Sequence, residues 1–487
     1  MAPGPQVERH VSPASDAPRW WWLLAALPLL PVLGLGFFND DYAGLVEFGA
    51  RGWAGVLQSF HPTDFEFMRP LGFLLFRAEL SVFGARALLF HATHLALFVL
   101  GAWLAGRLAA NLAGPRAAPW AAAFALLYPG RFEAVAWVAA VFDLVALLLV
   151  TAALVVATAP EWGGRPRQLV LLAGACFLAP LAKESAYALA LVLVAWELLG
   201  ALAPAPARFR ALRSLAVLAG AGAASAFRLL VFGGVGGYAN VPLSGAFVKA
   251  LGLPEAVLRV IVLPVNPSYG AASIAIAVLC TAAVLPAAGA ALVRGTPQAR
   301  RALWAGLALV VAGLLPSLPY LDPSRLTWSH SRLVTLSGLG VVLVAAAGVQ
   351  ACGRWRTAAG LVLLAAWCGG TLLEVHTWRW AAHERDVIIA GVERATREPG
   401  THVVWVAGPI DDDPRGARLA GRLPEAVQLA LPDRHITVDS EFVQHWERRA
   451  VGPPRVPAGV RLHIFLFDPT GPELRPLTHW EPPGVAR

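Results

Sequence analysis

Eleven apolar stretches, each about as long as a bilayer's hydrocarbon is thick, follow one another through most of this 487-residue chain and leave it few folds. A helix needs roughly 20 apolar residues to cross that layer. On this measure, spans are expected near residues 29, 98, 122, 150, 175, 194, 223, 282, 310, 342 and 366. A soluble multi-domain protein could not bury a chain that is 57% hydrophobic and only 14% charged. The third and fourth stretches are hard to separate, because Tyr128 to Asp143 sets Arg131, Glu133 and Asp143 in an apolar background. The expected fold is an all-α polytopic membrane protein with about 11 transmembrane helices.

The formal charge of +8 would suggest nucleic acid in a soluble protein. Here the basic residues sit in short gaps between apolar runs, which is a topology signal, so no nucleic-acid partner is expected. With a cytoplasmic N-terminus, every inner gap is basic: Arg107 and Arg116, Arg165 and Arg167, Arg208 to Arg213, Arg294 to Arg301, and Arg354 with Arg356. The outer segments are mixed in sign, as a functional face would be. Residues 1–19 read as a cytoplasmic tail. The run after them lacks a small-residue cleavage site, so it reads as a retained span. Cys176, Cys280, Cys352 and Cys368 all fall in apolar runs, which argues against disulfides or a cysteine metal site.

Residues 20–374 form the expected membrane domain. Its first outer loop, 39–86, holds two amphipathic pieces, Tyr42 to Phe60 and Pro70 to Phe83, and a third runs from Ala246 to Leu263. These suit helices lying at the outer interface. Residues 375–487 are charged, rich in proline and without a spanning run. With eleven spans before it, this part lies outside the cytoplasm as a small α/β domain. Strands are expected at His402 to Val406 and Arg461 to Phe467, and a helix at Leu423 to Leu431.

The polar residues worth attention gather at the outer ends of the spans. Asp40 and Asp41 follow the first span directly. Asn39 or Asp40 could simply cap the helix that starts near Tyr42. Two carboxylates also suit a base that takes a proton from a hydroxyl, with Asp41 slightly preferred because Asp40 is better placed to cap. Arg69, Lys183 and Glu184 lie on the same face, where cations suit a phosphate; snorkelling and an ion pair are the plainer readings. Arg131 and Glu133 could close the site or pair internally. Asp322, Arg325, His330 and Arg332 form a last outer group that could equally be a solvated loop. His91 and His94 share a helix face without a third ligand, so a hydrogen-bonded pair is expected rather than a metal site. No cofactor is required; a divalent metal is compatible with the carboxylates, but no residue set calls for one.

Asn39-Asp40-Asp41, Arg69-Pro70-Leu71, Leu89 to Leu95, Tyr128 to Val138, Ala182-Lys183-Glu184 and Ser331-Arg332-Leu333 occur in an order that resembles polytopic C-type glycosyltransferases. The likeness is strongest to the membrane part of the transmembrane-and-tetratricopeptide O-mannosyltransferases and their bacterial relatives, and covers roughly Phe38 to Gln350. The chain departs from that pattern at Tyr128-Pro129, Thr93 and Leu333 to Leu336, and no tetratricopeptide array follows.

The resemblance implies an inverting enzyme of a bacterial inner membrane. It would move a sugar from a polyprenyl-phosphate carrier to a hydroxyl of a glycan, lipid or protein on the outer face. Asp40 or Asp41 would be the base. Arg69, Lys183 or Arg332 would steady the departing phosphate, an effect worth roughly 3 kcal/mol per donor. Glu133, Arg131, Glu184, His91 and His94 would support the site. An O-antigen-type ligase or polymerase is a close enzymatic alternative. A lipid or glycan transporter and a non-catalytic membrane scaffold are the alternatives of other classes.

Overall fold

The computed structural model describes residues 20–60, 68–232, 251–262, 271–317, 334–407, 422–439, 456–468 and 473–476. A 3-10 helix, Trp21–Gly34, comes first and contains Pro28 and Pro31. At about 2.0 Å per residue it is roughly 28 Å long, so a short run still covers most of a bilayer. Then follow α1 (Asp40–Gln58), kinked at Gly52, and α2 (Pro70–Phe83), with Pro70 in its first turn. These two helices coincide with the first two amphipathic pieces. Next are α3 (Ala87–Ala113), α4 (Ala118–Leu127), the four-residue α5 (Glu133–Ala136) and α6 (Val141–Thr158). After α7 (Pro166–Ala182), a 3-10 turn at Glu184–Tyr187 leads into α8 (Ala188–Leu198) and α9 (Ala207–Phe232).

The second half contains α10 (Leu253–Val262), the described part of the third amphipathic piece, then α11 (Ala271–Arg294) and α12 (Pro297–Leu314). It continues with α13 (Thr335–Ala351) and the 40-residue α14 (Arg356–Ala395). A helix therefore sits at each of the eleven expected centres. Six are long and apolar enough to cross a membrane: those covering Ala87–Ala113, Val138–Thr158, Ala207–Val231, Ala271–Arg294, Pro297–Ser317 and Gly353–Ala395. They mark the chain as an integral membrane protein. Trp21–Gly34, Pro166–Ala182 and Thr335–Ala351 are shorter apolar helices.

The ambiguous stretch between the third and fourth centres is an interruption. Helix α4 stops at Leu127 and Tyr128 is extended, because the residue before a proline is pushed out of the helical region. The chain then makes short buried turns, Pro129–Arg131, α5 and Val138–Ala140, before α6 begins. Tyr128 donates its hydroxyl to the Val260 carbonyl at 2.5 Å and so fastens α10 over this broken segment.

The C-terminal strands β1 (His402–Ala407), β2 (Ile436–Asp439), β3 (Arg461–Asp468) and β4 (Glu473–Pro476) form one sheet in the order β2-β1-β3-β4. The first three strands are parallel and β4 is antiparallel to β3, while α15 (Leu423–Ala430) connects β1 to β2. The sheet does not hang free. Val404, Val406, Phe465, Phe467 and Leu474 share one apolar core with Ile388 and Val392 of α14 and with Tyr42, Leu45 and Phe48 of α1. At the opposite end of the bundle, short turns carry Arg116, Arg165 and Arg354.

Small residues let the helices approach closely where lipid supplies no hydrophobic drive. A Cβ on Gly306 of α12 would come within 2.8 Å of the Gly340 carbonyl of α13, and one on Gly340 within 2.5 Å of the Gly306 carbonyl. Backbone cannot yield as a side-chain tip can. Gly340→Leu is expected to destabilise the bundle by about 3 kcal/mol, at the upper end of ordinary overpacking. A clearly lower melting temperature of the detergent-purified protein would show it, and an unchanged one would refute the close contact.

Candidate active site

Residues 35–38 join the first helix to α1 with no regular structure, so their backbone groups need partners from elsewhere. Arg385 of α14 donates to the carbonyls of Leu35 (2.6 Å) and Phe37 (2.9 Å). His91 of α3 donates Nε2–H to the Gly36 carbonyl at 2.8 Å, and the indole of Trp137 donates to that of Phe38 at 3.2 Å. The Arg385 guanidinium also lies 5.2 Å from the centre of the Phe38 ring. Gly36 has a φ of +75°, and a side chain there would collide with Arg385. Asn39 has a φ of +36° and turns the chain into α1.

The two aspartates meet different surroundings. Asp41 is fully buried and accepts the N–H of Phe38 at 2.8 Å and the N–H of Ala139 at 2.5 Å, one on each oxygen. Asp40 is exposed, and its carboxylate lies 3.6 Å from Arg422 beside α15. Asp40, read as the better placed to cap, is displayed, and Asp41, slightly preferred as the base, is the one buried against backbone N–H groups. The first bond is the reach-back of a helix-start carboxylate to the N–H before the helix. The second carboxyl reaches across to the turn that starts α6. Burial pushes the Asp41 carboxyl well above the usual aspartate range, the backbone N–H groups of Phe38, Ala139 and Val138 pull it part of the way back, and Asp40 adds a push upward.

The turn that receives Asp41 also holds the cationic part of the site. Two residues past Ala139 the chain enters α6, where Asp143 accepts Lys183 Nζ at 2.5 Å. The guanidinium of Arg69 stands 5.6 Å over the ring of Phe142. Arg69 binds one Glu184 oxygen through Nε (3.0 Å) and Nη2 (2.8 Å), and Arg228 of α9 binds the other at 2.8 Å. Lys183 and Glu184 can face two sets of partners because the helix breaks between them: Lys183 is extended, with φ −160° and ψ 143°. Burial alone would raise the Glu184 carboxyl, but Arg69 and Arg228 outweigh it and hold it down at about 2. Three cations and two carboxylates, supplied by the start of α2, α6, the α7–α8 junction and α9, thus meet at the end of the bundle that carries Asp41.

Arg69, Lys183 and Glu184 therefore lie at one end of the bundle, with Asp41 linked to them through residues 138–143. Arg131 is elsewhere: it is buried, donates to the Ala125 carbonyl at 3.3 Å and stacks 5.0 Å from the Phe98 ring. Glu133 is buried in α5 of the interrupted segment. His91 and His94 do not bond to each other: His91 serves Gly36, and His94 Nε2 lies 3.3 Å from Glu79 of α2. Arg332, like Asp322, Arg325 and His330, lies outside the described residues. Among the described residues no group of three or more His, Cys, Asp or Glu could hold a metal ion. Sequence reasoning missed Arg228, Asp143's pairing and Arg385. An arginine near the end of an otherwise apolar run was the available signal for Arg228.

No family model, curated protein or solved structure matches the chain.

Removing the Asp41 carboxylate leaves two buried N–H groups without acceptors, so Asp41→Ala is expected to cost about 2 kcal/mol of stability. Thermal unfolding of purified protein measures it. The depressed Glu184 carboxyl stabilises the fold fully above the ordinary glutamate range, roughly pH 4.3, and its contribution is lost as pH falls through about 2. The stability gap between wild type and Glu184→Gln should therefore hold steady from neutral pH down to about 5 and close towards pH 2. A gap that ignores pH would contradict the ion-pair assignment.

Proposed function

We propose that this protein is a membrane glycosyltransferase that moves a sugar from a polyprenyl-phosphate carrier to a hydroxyl of a glycan, lipid or protein. In this reading about eleven helices cross the membrane, the N-terminus is cytoplasmic, and the site and the C-terminal sheet face the outer side. Helices α1, α2 and α10 lie at that interface. The observation that carries the proposal is the convergence of Arg69, Lys183 and Arg228 at the bundle end where an exposed aspartate opens α1.

Chemically, the acceptor hydroxyl attacks the anomeric carbon as Asp40 takes its proton. The bond from that carbon to the phosphate oxygen breaks, and the electron pair leaves with the lipid phosphate. Attack from the side opposite the phosphate inverts the sugar. Arg69, Lys183 or Arg332 stabilises the charge growing on the phosphate; Arg69 and Lys183 are already held in place by Glu184 and Asp143, which suits that role. Phosphate leaves without a general acid, so one base suffices. Asp40 is preferred as base because it is exposed, while Asp41 holds the turn beneath it.

A transporter would carry broken helices in corresponding positions of two halves. The two breaks near the site, after Leu127 and after Ala182, both fall within residues 118–198. A scaffold reading would make Asp40 only a docking contact for Arg422. Proteoliposomes charged with a panel of polyprenyl-phosphate hexoses separate these readings by the release of polyprenyl phosphate. Asp40→Asn should lower release by about 100-fold or more, the usual worth of a general base, with the melting temperature kept. Arg422→Gln should retain most of it. Full release by Asp40→Asn and Asp41→Asn would end the mechanism.

A further inference from the structure

A second polar site lies away from the cation cluster, between the end of the first helix and α14. An open groove of about 470 Å³ is lined there by Pro31, Gly34, Leu35, Arg379, Ala382, His383 and Asp386. Its level in the membrane follows from α14. At 1.5 Å per residue, about 20 residues counted from Arg356 cover the roughly 30 Å of hydrocarbon, which brings the helix to about residue 376. Exposed apolar side chains agree: on α14 they include Leu361, Val362 and Leu372, and on the first helix Leu23, Leu24, Leu27 and Leu30. Directly beyond them the exposed face of α14 becomes polar, with His376, Arg379, His383 and Asp386 at helical spacing. The groove therefore sits at headgroup depth, above two lipid-facing apolar walls.

Its charge selects an occupant. Arg379 is exposed and makes no ion pair with the described residues. Asp386 is already bound by Arg385 at 2.7 Å, and Arg385 in turn is held on the Leu35 and Phe37 carbonyls. With that carboxylate compensated from behind, the groove offers a guanidinium, an imidazole and a hydrogen-bond acceptor. We propose that it binds the headgroup of a phosphatidylglycerol-type lipid, with Arg379 and His383 on the phosphodiester, Asp386 accepting from the glycerol hydroxyls, and the acyl chains along the exposed leucines of the first helix. A phosphodiester wants a cation, and a hydroxylated headgroup without an ammonium suits a site of net positive charge. Simple snorkelling of Arg379 would give no preference between headgroups. The proposal does not depend on the glycosyltransferase reading.

Native mass spectrometry of the full-length protein in detergent tests it, with phosphatidylglycerol, phosphatidylcholine and undecaprenyl phosphate added in turn. Phosphatidylglycerol should be retained about tenfold more tightly than phosphatidylcholine, and the Arg379→Gln/His383→Gln double variant should lose that preference. Both replaced residues are exposed, so the lipid-free melting temperature should not move, which separates lost binding from lost folding. Equal retention of the two phospholipids, an unchanged preference in the variant, or displacement of phosphatidylglycerol by equimolar undecaprenyl phosphate would each overturn the assignment. The last result would assign the groove to a carrier lipid instead.

Discussion

Four residues without secondary structure, Leu35 to Phe38, lie between the first helix and α1. With Leu35, Phe37 and Phe38 buried, their backbone groups cannot go unpaired without a cost of several kcal/mol each. Side chains remote in sequence supply the partners: Arg385 from α14, His91 from α3, Trp137 from the interrupted segment, and Asp41 from α1 itself. Much of the upper structure follows from this. Arg385 reaches the first helix from the C-terminal part of the 40-residue α14, and that extension is also the post on which the C-terminal sheet packs. Asp41 joins the same segment to the start of α6, and so fixes where α1 begins and where Asp40 is displayed.

The charged cluster obeys a related rule. Buried ions are tolerated when each is matched and hydrogen-bonded, and such pairs are weak grounds for stability in themselves. Five ionic side chains are matched in this way at one end of the bundle, and the proposed transfer chemistry is argued from that arrangement. The breaks in the helices make the arrangement achievable. The extended Lys183 lets neighbouring residues address Asp143 on one side and two arginines on the other. The interruption from Tyr128 to Ala140 brings peptide N–H groups to Asp41 that a continuous helix would have used internally.

Much of the architecture was legible because length and apolarity are local properties. Of the eleven expected spans, each centre falls on a helix, and six of those helices are long and apolar enough to cross a membrane. The alternating strands at His402 and Arg461 foretold strands of the sheet, and amphipathic spacing foretold α1 and α2. That Arg69, Lys183 and Glu184 stand near helix ends could also be read, since costly charges stand out against an apolar background. Histidines three apart were less informative. Helical spacing put His91 and His94 on one face, but each found a partner on another element, Gly36 in one case and Glu79 in the other.

By itself the sequence determined that this chain is a helical membrane protein with a small strand-bearing C-terminal part and polar groups gathered at span ends. Hydrocarbon thickness and helix rise leave such a chain no cheaper way to satisfy its backbone. Only the tertiary structure decided which aspartate is buried and which is displayed, that Arg228 shares Glu184 with Arg69, and that Arg385 closes the gap after the first helix. Those choices are pairings between residues 44, 115 and 350 positions apart. Pairings of that reach depend on which helix ends become neighbours, and no local pattern of residues encodes that.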